Sequence, residues 1–217
     1  EGGRILERID LGLPGDYEGV EEAGDRVYVA RSDGLLVIVD PTAAAKLQRV
    51  QLSLGLACDL EGIAYQAERN RLLLACRSEA PRSMRPGKTF EIRALELSTR
   101  QLAKEPAYVI REEEIDAWLP RRGRTFAPSD LAVHPLTGEL HVLSARGMMR
   151  VVLAPSGRVA RVVPLSEKAH VQPEGLAFGP DGTMYICDET RGRWARLHVY
   201  LPEAAEPGAT SQRAPAR

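Results

Sequence analysis

One phrase recurs along this chain and limits its fold more than anything else. It is Asp16-Tyr17-Glu18-Gly19-Val20, then Asp59-Leu60-Glu61-Gly62-Ile63-Ala64-Tyr65, then Gln172-Pro173-Glu174-Gly175-Leu176-Ala177-Phe178. A degenerate copy is Pro128-Ser129-Asp130-Leu131-Ala132-Val133-His134. Glu18 and Glu61 lie 43 residues apart, and Ser129 and Glu174 lie 45 apart. Glu61 and Ser129 are separated by 68 residues, so one unit carries an insert. Phrases returning at such periods mark stacked supersecondary units, each unable to bury its own apolar face.

Each phrase opens an apolar run that reads as a first strand. Turn residues follow: Gly24-Asp25, Glu68-Arg69-Asn70, Thr137-Gly138 and Asp181-Gly182. A second run comes next, at Val27–Ala30, Leu72–Cys76, Leu140–Leu143 and Met184–Cys187. Turn residues between two short apolar runs signal a hairpin. Third strands are expected over 35–39, 90–97, 149–153 and 194–200, and a fourth over 157–163. The fold class that follows is all-β, a β-propeller with antiparallel blades of three to four strands. The propeller domain is expected over residues 1–201. The Pro-, Ala- and Glu-rich segment 202–217 reads as a disordered tail. The insert holds a short helix over 111–119, and 81–88 reads as a long loop. Residues 4–11 resemble the outer strand of a further blade. Either upstream residues complete that blade, for five in the full-length protein, or this strand closes a ring of four. The five-bladed form is the expectation, with four blades and one strand in this chain.

The bulk numbers exclude several functions. A net charge of −1 gives no basis for binding nucleic acid. No apolar run approaches the ~20 residues of a transmembrane segment. Gly-rich phosphate loops are absent, and Ser129 lacks the Gly-x-Ser-x-Gly elbow of a serine hydrolase. The three cysteines, Cys58, Cys76 and Cys187, form no CxxC pair. With Cys76 and Cys187 inside apolar runs, they read as buried free thiols.

In a propeller the start of each first strand lies beside the end of the antiparallel second strand. Glu18, Glu61, Glu174 and Ser129 should therefore converge at one mouth of the central channel. Arg31, Arg77, Arg146, Asp188, Glu189 and His170 would line the same mouth as ligand-binding residues. Two carboxylates ~4 Å apart repel by about 4 kcal/mol at an effective dielectric near 20. Such a group must protonate, pair with cations or hold a metal. An oxygen-only set of Glu18, Glu61, Glu174 and Ser129 suits calcium and not zinc. The glutamates would otherwise be structural, tying blades together through backbone amides.

These residues resemble the SdiA-regulated (YjiK-like) β-propeller family. The resemblance rests on the phrases at 59–65 and 172–178, the latter continuing through Asp181-Gly182-Thr183-Met184-Tyr185-Ile186. It also rests on Ser129-Asp130-Leu131-Ala132 followed by Gly138-Glu139-Leu140-His141-Val142-Leu143-Ser144. Asp130 stands where the family has Gly. The resemblance covers about residues 4 to 200. It implies a bacterial protein, periplasmic or otherwise at the cell envelope, with an acidic mouth suited to calcium. It supplies no reaction. The leading expectation is a calcium-binding module for a small anionic ligand or an envelope protein. The alternative is a calcium-dependent hydrolase of a lactone or phosphoester. Asp188, Glu189 or His170 would be its general base and the arginines would hold the substrate. A third possibility is an interaction domain without an ion.

Overall fold

The computed structural model describes residues 4–5, 7–43, 46–55, 58–77, 88–119, 125–189 and 194–202. Four antiparallel sheets stand in a ring like the blades of a propeller. The first blade is β1 (Tyr17–Ala23), β2 (Arg26–Arg31), β3 (Leu35–Val39) and β4 (Gln48–Gln51). The second is β5 (Leu60–Gln66), β6 (Arg71–Cys76), β7 (Thr89–Glu96) and two short outer strands, β8 (Gln101–Leu102) and β9 (Tyr108–Arg111). Both outer strands pair with β7, one beyond the other along the same edge. The third is β10 (Asp130–Val133), β11 (Leu140–Ser144), β12 (Met149–Leu153) and β13 (Val159–Pro164). The fourth is β14 (Pro173–Phe178), β15 (Met184–Asp188) and β16 (Arg196–Tyr200).

The inner strands β1, β5, β10 and β14 pack in sequence around the axis. Glycine permits that approach. A Cβ on Gly62 would meet the Asp130 Cα at 2.9 Å, and one on Gly19 would meet the Ile63 backbone nitrogen at 3.2 Å. The blades then close on apolar seams. Leu36, Ile38, Leu60, Ile63, Leu72 and Leu74 fill the first. Leu73, Phe90, Ile92, Phe126, Leu140 and Val151 are among those filling the second. Residues on β6 alternate between these two seams, so both faces of the strand are buried and its sequence runs apolar without a break. The third seam is thin, with Ala132, Leu143, Leu176 and Ile186 as its buried apolar residues. Among the described residues, no buried apolar cluster joins the fourth blade to the first. A cavity of about 800 Å³ lies along the axis and reaches between them.

The hairpin reading holds within one or two residues for all four blades, with β4, β8 and β9 as additions. The expected helix is shorter than its reading: α1 (Glu112–Asp116), anchored by buried Ile115. The expected strand at 4–11 does not form. The described residues of this segment pair with no sheet, and a turn ends it, in which Asp10 accepts the amide of Gly12, whose φ is +70°. Ile9 and Leu11 instead cover the outer face of the first blade against Leu35, Val37 and Val39. The thiol reading is also corrected. Cys58 and Cys76 form a disulfide, because Cys58 precedes β5 where that strand pairs with the end of β6. Cys187 is free but exposed, since it points away from the third blade. Of the loop at 81–88 and the tail at 202–217, all but Lys88 and Pro202 lie outside the described residues. Among the described residues, no helix is long and apolar enough to cross a membrane.

Candidate functional site

The Glu-Gly phrase has a structural meaning that its spacing alone does not convey. In the first blade Tyr17 pairs with Arg31 and Gly19 with Ala30, so Glu18 is skipped. In the second, Leu60 pairs with Cys76 and Gly62 with Ala75, skipping Glu61. In the fourth, Pro173 pairs with Asp188 and Gly175 with Cys187, skipping Glu174. Each glutamate is therefore the extra residue of a β-bulge, a device that bends the strand and re-aims one side chain. In the third blade the equivalent residue, Ser129, precedes the paired strand and its amide donates to Leu143 O at 2.9 Å, while Asp130 takes the glycine's place opposite Leu143.

The three glutamates share one electrostatic neighbourhood around Arg77. Arg77 forms an ion pair with Glu61, whose side chain is buried. Burial pushes the Glu61 carboxyl up to about 7 despite that pair, with Glu18 and Asp59 adding repulsion. Burial likewise raises Glu18 to about 7, helped by Asp16, which hydrogen-bonds to it, and by Glu174. Burial raises Glu174 too; Gln172 opposes the shift and Glu189 adds to it. The Gln172 amide donates to Glu174 Oε1 at 2.7 Å and to Glu189 Oε2 at 3.1 Å, clipping these carboxylates side by side. Glu18, Glu174 and Glu189 line the cavity.

The other expected mouth residues are placed elsewhere or otherwise engaged. The Ser129 hydroxyl donates to Pro173 O at 3.0 Å and accepts the Ala145 amide at 3.1 Å, so it ties the third blade to the fourth. Arg31 grips Asp33 through two bonds, of 2.9 and 2.7 Å, and reaches Pro14 O. Arg146 is exposed in the turn after β11. Asp188 lines the cavity, but its carboxylate is held by His170 and His198 on the side facing the third blade. His170 is buried and does not reach the cavity wall.

Residues that the sequence reading did not assign to the mouth complete the site. Asp130 lines the cavity and accepts the Leu131 amide at 2.8 Å and the Leu176 amide at 2.6 Å. Burial pushes its carboxyl well above the usual range against these two bonds. Glu21 does the same work at the first seam, accepting the Tyr65 amide at 3.1 Å. Asp16, Asp59 and Gln172 stand two residues before their glutamates, and that shared spacing was the available signal.

The family model described as SdiA-regulated matches residues 1–191. No curated protein sequence matches the chain significantly. Among solved structures, a protein of unknown function from Bacteroides thetaiotaomicron VPI-5482 is similar at TM-score 0.55 and 13% identity, covering 82% of this chain and 44% of that one. A chain of a nidogen/laminin complex is similar at TM-score 0.53 and 14% identity, covering 83% of this chain and 58% of that one. A luciferin-regenerating enzyme is similar at TM-score 0.50 and 13% identity, covering 78% of this chain and 52% of that one. This chain thus spans about half the length of these structures, and the likeness is one of fold.

Proposed function

Because this chain belongs to the SdiA-regulated family, we propose that it is a calcium-binding propeller module at the cell envelope. Its acidic mouth would take a small anionic ligand or an envelope protein. The observation that carries this reading is a charge imbalance. Among the described residues, Glu18, Glu61, Glu174 and Asp59 share the guanidinium of Arg77, with Asp16 beside Glu18 and Glu189 beside Glu174. Carboxyls that burial, with added repulsion from their neighbours, keeps protonated near neutral pH would yield their protons to a hard cation. Glu18, Glu174 and Glu189 fit that role, being oxygen donors on the cavity wall. Glu61 would stay with Arg77, and Ser129 would stay between the blades. A bound calcium would supply positive charge facing the cavity, which is what an anionic ligand requires. The Cys58–Cys76 disulfide supports an oxidising compartment such as the periplasm. The hydrolase reading is less well supported, because Asp188 and His170 are engaged with each other.

Thermal melting in calcium and in a chelator tests the reading. An ion bound only by the folded state at 100 times its Kd adds about 2.7 kcal/mol of stability. Melting should rise with calcium in the wild type, and much less in Glu174→Gln. An equal melting temperature in calcium and chelator would sink the proposal.

A further inference from the structure

We propose that His170, Asp188 and His198 form a separate site for zinc or a similar transition cation, in the seam between the third and fourth blades. The proposal does not rest on the calcium reading, and it uses none of the glutamates at the mouth. Asp188 ends β15 and His198 lies on β16. His198 pairs in register with Ile186, which packs against the third blade, so both side chains face that blade. His170 comes from the preceding loop, where its amide is bonded to Ser166 O at 2.8 Å. The three residues thus arrive from three different segments.

Their donor atoms already have the spacing a metal needs. His170 Nδ1 lies 3.2 and 3.3 Å from the two Asp188 oxygens, and His198 Nε2 lies 2.8 Å from Oδ2. All the donor atoms fall within 4.8 Å of one another. Ligands at 2.0–2.2 Å from a tetrahedral zinc sit roughly 3.3 Å apart, so the ion would enter with small side-chain shifts. Imidazole nitrogen selects zinc, copper or nickel over calcium. The ion would displace the ring protons that otherwise point at Asp188, and these would move to the far nitrogens. On His170 that is Nε2, 2.6 Å from the Tyr200 hydroxyl, which then accepts the proton's hydrogen bond. A partner of this kind behind a ligating histidine fixes its tautomer and orientation. His170 and Asp188 are each 1% exposed, so entry is from the side of His198, which is only partly covered. Three protein ligands leave a fourth position for water or a small anion.

The same three side chains form a closed hydrogen-bond network without a metal, and the experiment separates the two cases. Cys187→Ser is the background, because the exposed thiol would itself bind zinc. Chelator-treated protein is titrated with zinc sulfate by calorimetry, with circular dichroism to confirm folding. One zinc per chain is expected, with calcium producing no displacement. Affinity should fall at least ~100-fold in His198→Gln. It should fall about 10–100-fold in Tyr200→Phe, which leaves all three ligands in place. Glu174→Gln should leave zinc binding unchanged, which keeps failure here distinct from failure at the mouth. Absence of zinc binding by the folded background protein would overturn the site. So would affinity undiminished in a folded His198→Gln.

Discussion

The second and fourth blades share the plan of their three inner strands and differ in how much of it is covered. On β6 Arg71 to Ala75 are all buried, because blades flank both faces. On β15 Ile186 and Asp188 are buried while Cys187 is exposed. The face beyond the third blade carries Ala177, Tyr185, Cys187, Leu197 and Val199, and Leu197 is 65% exposed. The fourth blade therefore has the composition of a sheet covered on both sides, with one side bare. An apolar strand pattern reports how a strand is suited to pack, and its neighbours decide whether that packing is made.

The largest predicted contrast is in packing. Phe90 meets Phe126 edge-on at 4.9 Å inside the second seam. Phe90→Ala should cost about 3–5 kcal/mol in urea unfolding. Leu197→Ala should stay within about 0.5 kcal/mol. Equal costs would mean that the bare face is covered in solution.

A smaller contrast separates two glycines of the same phrase. A Cβ on Gly62 would strike the next blade at Asp130, so Gly62→Ala should cost about 1–3 kcal/mol. A Cβ on Gly175 would meet only the Cys187 side chain, which is free to turn, so Gly175→Ala should be close to neutral. Chemical denaturation of the two variants in parallel decides this.

These two sites also show what the sequence could and could not convey. The repeat gave the blades, because glycine after glutamate and paired apolar runs are local signals. It also placed Glu18, Glu61 and Glu174 beside the ends of the second strands. The bulges were hidden, because an unpaired residue is a matter of register between strands. Arg77 and Arg31 look alike in sequence, each ending a second strand, but Asp33 captures Arg31 from the adjoining turn. His198 reads as an ordinary alternating strand residue, and only the arrival of His170 from a distant loop gives Asp188 two imidazoles. The disulfide joins residues 18 positions apart with no motif to mark them.

The pH dependence of the metal-free protein is a further test. Folded Glu18 and Glu61 hold protons to about pH 7, against an ordinary value of 4.5. Between those values the folded state binds more protons than the unfolded state, so stability should fall as pH rises. Glu18→Gln should flatten that slope in melting curves taken across the window. The smallest effect concerns no stability at all. Cys187 should react with a maleimide in the native protein, while Cys58 and Cys76 should not react unless reduced.

The central proposal is that the bulged glutamates make an acidic mouth that takes up calcium. Calorimetric titration with calcium at pH 7, in two buffers of different ionisation enthalpy, tests it most directly. The account predicts that binding occurs and releases protons, so the apparent enthalpy depends on the buffer. Absence of binding, or binding with the same enthalpy in both buffers, would contradict it.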